Sequence, residues 1–217
     1  SIRDVDGLFS SGLGPIGIMA LAEHLNLHPR YHDSTNIGGS TFVAQVLHAA
    51  AAIGAGLCNV ALITYGSKAS SDRFAVGTGG LSGGDPPDQF EAPFGPTVMN
   101  SYALVAQRHM HEFGTTAEQL AEVSVTMRRH AGMNPQARFR EPITVDDVLA
   151  SRMVSSPLHL LDCCIISDGG GAVVIARSDR ARDCRKPPVR ILGGAEALRH
   201  TAMGRRDLTE IAAAESG

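Results

Sequence analysis

The sequence predicts an α/β fold interrupted by a helical insertion, and three stretches carry that expectation. Ser40 to Ala55 places apolar and small residues at helical spacing and leads, past Gly56, into the continuous apolar run VALIT at 60–64, whose length and β-branching fit a buried parallel strand. From Gly66 to about Pro157 the character changes to a Gly/Pro/Ser-rich tract followed by helical segments, which reads as an inserted region. At 167–176 the run SDGGGAVVIA then reads as a turn set in front of a buried strand, so the α/β core resumes.

Taken in order, Gly14 to Leu27 carries Ile16, Met19, Ala20, Ala22 and Leu25 near helical spacing, with Pro15 suited to a first turn and Pro29 beyond the end. Arg30 to Asp33 reads as a short strand and Ser34 to Gly39 as a tight loop feeding the next helix. That helix presents Phe42, Val43, Val46, Leu47, Ala50 and Ile53 among many alanines, so close neighbours are expected, and Gly56 supplies its stop. Strand, helix and the VALIT strand make a right-handed α/β unit. Within the insertion, helices are expected over Ser101 to Phe113 and Ala117 to Ala131, the second with a partial capping signal from Thr116, Glu118 and Gln119. Pro142 followed by Thr144 to Asp147 marks a third helix start, and Val189 to Leu192 reads as a further short strand.

Composition excludes several classes. A chain of 217 residues with 43% hydrophobic and 19% charged residues can bury a sizeable core, and a net charge of −3 with pI near 6.3 offers no basic face for nucleic acid. No apolar run approaches the roughly 20 residues needed to span a bilayer. Cys58, Cys163, Cys164 and Cys184 lack paired spacing, which points to a soluble protein in a reducing, cytoplasmic setting. The opening SIRDVDGLFSSG has no signal-peptide pattern, and AAAESG closes without a capping signal, so both ends are expected to continue in the gene product.

Three segments together resemble the thiolase superfamily, specifically the thiolase domain of sterol-carrier-protein-x and its lipid-transfer-protein-like relatives. PLHLLDCCIISDGGGAVVIA, at 157–176, is similar to the family run LxLLxCCxxSDGAAAxxLA. HMHEFGTTAEQLAEVSVTMRRHAGMNPQARFREPITVDDVLAS, at 109–151, resembles the inserted loop domain, with Asn134, Pro135 and Phe139 matching its NPxxxF feature. GGSTFVAQVLHAAAAIGAGLCNVALITYG, at 38–66, resembles the catalytic loop, its helix and the strand beyond. The resemblance implies the N-terminal half of a layered thiolase-like fold, with a mixed five-stranded sheet and helices on both faces, over 1–66 and 158–217. It implies an inserted loop domain over 67–157. The family's later catalytic loops, with a histidine and a second cysteine, are expected beyond Gly217.

Ordinary members read N-C-S-T where this sequence has Gly38, Gly39, Ser40 and Thr41, and counting back from Gly56 places Gly39 at the acylated cysteine. A thiolate at a helix N-terminus is stabilised by the dipole and free amides, and glycine has nothing to acylate, so a ping-pong mechanism is unavailable there. The main-chain amides of Gly38 and Gly39 can still hold a thioester oxygen as it becomes an enolate, and losing one such donor costs about a hundredfold to a thousandfold in rate. The missing side chain also leaves room beside the α-carbon for a bulky substituent. The resemblance therefore implies retro-aldol cleavage of a branched or steroid-type β-hydroxyacyl-CoA, with the acid and base in the half that follows. It implies a coenzyme A thioester as substrate with no other cofactor, a homodimer and an OB-fold partner protein.

Around Gly39, the substrate-side candidates are Ser40, Tyr65, Phe113 and Cys164. Ser40 or Thr41 as an alternative nucleophile is weighed against helix capping, and Cys164 as a channel-lining residue against a buried cysteine. Tyr65 stands at a strand's C-terminal end, where α/β ligand sites gather, against a packed tyrosine with a satisfied hydroxyl. Phe113 is weighed against a core role. His109, His111, His130 and His200 lack ligand spacing and read as surface histidines, so no metal is expected. GTGGLSGGD at 77–85 reads as a mobile loop, and Asp168 as a turn residue. Two rivals remain: a non-catalytic acyl-CoA or lipid-binding scaffold, and an ordinary acetyl-CoA acyltransferase using another cysteine such as Cys164.

Overall fold

Gly7 to Phe9 forms a strand, β1, with all three residues buried at the centre of the chain's main sheet. The computed structural model describes residues 1–14, 16–75, 90, 92–95, 97–199 and 207–217. They divide into two compact units, the first comprising 1–68, 168–198 and 212–217, the second 69–167 and 199–211.

In the first unit, β1 pairs in parallel with β2 (Tyr31–Asp33) on one side and with β3 (Val60–Lys68) on the other. The strand that follows the insertion, called β6 here because two short strands precede it, runs from Asp168 to Ala176. It lies antiparallel to β3 along its whole length, from Val60 opposite Ala176 to Lys68 opposite Asp168, so the sheet is mixed. Side chains alternate across the strands and create two cores. Leu8, Val60 and Leu62 face helix α1 (Gly17–His24) with Val5, Ile18 and Leu27, whereas Phe9, Ala61 and Ile63 face helix α2 (Thr41–Gly54) with Ala49, Ala52 and Cys58. Helices therefore cover both faces of β1 and of the start of β3, whereas β6 is exposed along nearly its whole length. The alanines of α2 let its backbone approach the sheet, and full burial of a side chain such as Leu8 or Phe9 stabilises by about 1.5–3 kcal/mol.

Asp6 anchors the start of β3. Its carboxylate accepts from the amides of Asn59 (2.7 Å) and Val60 (2.8 Å) and from Asn59 Nδ2 (2.8 Å). Burial works to raise the Asp6 pKa, but these hydrogen bonds outweigh it and hold the group below the ordinary carboxylate value.

Four expectations change here. AVVIA at 172–176 is a strand as expected, but an exposed one rather than a buried one. SDGGG is not a turn: Asp168 to Gly171 already belong to β6, and a Cβ on Gly170 would lie 2.5 Å from the Tyr65 carbonyl oxygen, so the glycines serve a close approach to β3. Val189 to Leu192 is irregular and largely exposed, so among the described residues the sheet has four strands rather than five. Helix α1 spans eight residues, shorter than the periodicity promised, and Pro15 lies outside the described residues.

The second unit contains α3 (Val98–Phe113), α4 (Ala117–Met133) and α5 (Val145–Ala150), then the antiparallel pair β4 (Met153–Ser155) and β5 (Leu158–His159). Caps define its helices. Thr97 accepts from the Asn100 amide and Gly114, at φ 68°, closes α3, while Thr116 with Gln119 and Thr144 with Asp147 form complete capping boxes. Ala103, Ala121 and Val148 are buried in this unit. Segments 158–167 and 199–211 group with it. The loop expected over 77–85 lies outside the described residues.

Candidate functional site

The loop 34–40 leaves β2 at the C-terminal end of the parallel strands, where α/β folds gather ligand groups, and turns directly into α2. Its last turn is closed by Thr41, whose hydroxyl accepts from the Ile37 amide (2.9 Å) and donates to the Gly38 carbonyl (2.6 Å). Thr41 is buried and ties the loop to the helix. Gly38 sits at φ 86°, a conformation that disfavours any side chain, and its amide donates to Asn36 Oδ1 at 3.1 Å. Of the two expected main-chain donors, Gly38 is thus engaged. Among the described residues the amides of Gly39 and Ser40 have no protein acceptor, and they precede a helix whose first turn holds no acidic side chain.

Ser40 occupies the N-cap position in αR conformation and its side chain makes no capping hydrogen bond, so the capping reading fails for Ser40. A Cβ built on Gly39 would meet nothing within 4 Å. The place of a nucleophilic side chain is therefore open space beside two free amides at a helix start, an arrangement suited to an oxyanion.

Beneath the loop, Gln45 is fully buried and donates through Nε2 to the carbonyls of Ser10 (3.1 Å) and Thr35 (3.4 Å). Asp33 Oδ1 accepts from the Thr35 amide (2.7 Å) and hydroxyl (2.6 Å), and Asp33 Oδ2 faces His48 Nδ1 at 2.6 Å. His48 Nε2 in turn faces the Glu196 carboxylate at 3.1 and 3.2 Å. Burial pushes the Asp33 pKa up, yet the Thr35 and His48 hydrogen bonds win and lower it, while the hydrogen bonds to Glu196 and then Asp33 raise His48.

Of the remaining candidates, Tyr65 at the C-terminal part of β3 is half-exposed, its ring 4.7 Å from that of Phe42 in the first turn of α2. Gly38, Gly39, Ser40 and Tyr65 thus all belong to the first unit, and Phe113 and Cys164 to the second. Phe113 is the exposed last residue of α3, its ring 4.7 Å from that of His109, so the core reading fails. Cys164 is exposed, which removes the buried-cysteine alternative. Its neighbour Cys163 donates to the His159 carbonyl, and burial followed by Asp162 raises its thiol pKa, an environment that suppresses the thiolate. His109 pairs with the Thr115 hydroxyl at 2.9 Å, and His200 lies outside the described residues. No group of metal-binding side chains is found among the described residues.

Sequence reading missed Asp33, Thr35, Gln45, His48 and Glu196. A signal existed for two of them: Gln45 and His48, three apart on an alanine-rich helix, continue from Thr41 as one polar stripe on an element otherwise built of apolar and small residues. Glu196 carries no local signal at all.

No family model matches the chain. The steroid side-chain-cleaving aldolase of Thermomonospora curvata is 35% identical over 202 residues, covering 89% of this chain and 51% of that protein. An acetyl-CoA acetyltransferase of Methanothermobacter thermautotrophicus is 46% identical over 124 residues, covering 57% of this chain and 32% of the relative. Among solved structures, the Ltp2-ChsH2(DUF35) aldolase superposes with a TM-score of 0.83 at 32% identity over 97% of this chain and 56% of that one. The chain thus spans between about a third and about half the length of the proteins it matches.

Proposed function

We propose, from the premise that the chain belongs to the thiolase-like superfamily that includes the steroid side-chain-cleaving aldolases, that it supplies the oxyanion side of a retro-aldol lyase. The substrate is a branched or steroid-type β-hydroxyacyl-CoA thioester. A base takes the β-hydroxyl proton, the Cα–Cβ bond breaks, and its electron pair passes into the thioester as an enolate. Protonation of the enolate carbon gives the shorter acyl-CoA, and the former β-carbon leaves as the carbonyl of a ketone. The enolate oxygen is held by the free amides at 39 and 40 at the start of α2. On this reading the acid and base belong to the C-terminal half of the thiolase-like fold.

The observation that carries this reading is Gly39: no cysteine stands at the helix start, the donors remain, and the space is open for a bulky substituent. A coenzyme A thioester is then the substrate, with no further cofactor. The assembly we propose is a homodimer working with an OB-fold partner in the cytoplasm, the partner motivated by the similarity to the Ltp2-ChsH2(DUF35) aldolase. No described helix is long and apolar enough to cross a membrane.

The acyltransferase alternative draws on the 46% identity to an acetyl-CoA acetyltransferase. One experiment separates the two. The full-length protein is incubated with acetyl-CoA and weighed, and in parallel with a β-hydroxyacyl-CoA while ketone release is followed. Ketone without an acetyl adduct is expected; a stable acetyl group on any cysteine overturns the lyase reading, and absence of both leaves the binding scaffold.

A further inference from the structure

We propose that His48 is a positioning residue for the loop 34–40, acting as a cationic strut between Asp33 and Glu196 that fixes the carboxylate on which the loop is hung. The inference rests on the reading of the amides at 39 and 40 as oxyanion donors, since it is their placement that the strut would secure.

The geometry favours the charged form of His48. Nδ1 lies 2.6 Å from Asp33 Oδ2 and Nε2 lies 3.1 and 3.2 Å from the two Glu196 oxygens, so both ring nitrogens face carboxylates. A neutral imidazole has one N–H and one lone pair, and either tautomer would aim that lone pair at a carboxylate; only the imidazolium donates both ways. The charged groups facing the ring are Asp33 from β2 and Glu196 from the segment after β6, and helix α2 itself adds none.

Asp33 divides its oxygens between two tasks. Oδ2 takes the His48 hydrogen bond, while Oδ1 accepts from both the amide and the hydroxyl of Thr35, the second residue of the loop. Gln45, three residues before His48 on the same helix, holds the Thr35 carbonyl. Thr35 is therefore gripped on both main-chain polar groups by side chains tied to α2, and only Asn36 and Ile37 separate it from Gly38. Once His48 loses its proton, one carboxylate faces a lone pair, the grip on Asp33 weakens, and the amides downstream lose their fixed aim. The two shifts run in opposite directions, Asp33 down and His48 up, and each favours the charged form: the strut is complete above the ordinary carboxylate range, where Asp33 is ionised, and is lost as pH rises through the elevated His48 value.

The test uses the full-length protein with its partner, comparing the natural sequence with His48→Gln and Glu196→Gln. In the natural protein, kcat should fall on the alkaline side while KM stays nearly constant. His48→Gln should remove that limb and lower kcat by about tenfold, well short of the hundredfold or more that loss of an oxyanion donor brings. Histidine NMR titration should place His48 above the ordinary imidazole value in the natural protein and lower it in Glu196→Gln. Hydrogen exchange at amides 36–41, read across pH, needs no turnover, so it decides the strut even if the lyase reading fails. A His48 that titrates at or below its ordinary value, or loop exchange in His48→Gln that matches the natural protein at every pH, overturns the proposal.

Discussion

Helices α2 and α4 begin in opposite ways. At Ala117, Thr116 accepts from the Gln119 amide while Gln119 reaches back to the Thr116 amide, so the first donors of the helix are satisfied by its own side chains. At Thr41 the cap residue Ser40 is in helical conformation and makes no capping bond, and the hydroxyl next to it is turned to the loop instead. A helix needs its leading amides satisfied by something, and where side chains do it the N-terminus is structural. Where side chains are withheld, the amides stay available to a ligand.

Four changes test that contrast, from the strongest downward. Gly38→Val puts a branched residue at φ 86° and should cost about 1–3 kcal/mol in a melt. By moving the next amides it should also cut ketone release by about a hundredfold. Gly39→Cys fits the open space, so the melting temperature should hold while aldolase turnover falls and the new thiol alkylates quickly at neutral pH; a slow thiol would mean the helix start lends no positive potential. Thr116→Ala should lose about 1 kcal/mol of stability in denaturant and leave kcat unchanged. Ser40→Ala, at an equivalent position with no bond to lose, should shift stability by only about 0.5 kcal/mol or less.

Asp6 supplies an acid-side check on the same unit. Its carboxylate is held below the ordinary value, so the stability it contributes is present above the unfolded pKa and disappears as pH falls through the folded one. Asp6→Asn should flatten that acid limb in a pH series of melts, which the natural protein should show.

Much of the α/β order was legible because it is local. The small-residue helix, the VALIT strand and the Thr116 and Thr144 caps are written in spacings of one to four residues, and each formed within a few residues of expectation. Strand β1 was not legible, since Gly-Leu-Phe is too short to show a period and is made a strand by its two parallel partners. SDGGG misled for a related reason: glycines that look like turn residues are required where β6 presses against the Tyr65 carbonyl.

By itself, then, the amino-acid order determined the missing thiol at position 39 and the helix whose N-terminus that position adjoins, because both depend on neighbours along the chain. Which amides there are free was fixed by the loop's own backbone geometry, with Asn36 taking the Gly38 amide, whereas only the tertiary structure brought Glu196 across 148 residues to the ring of His48. Pairings at that separation depend on how sheet and helix pack, and no spacing in the sequence encodes them.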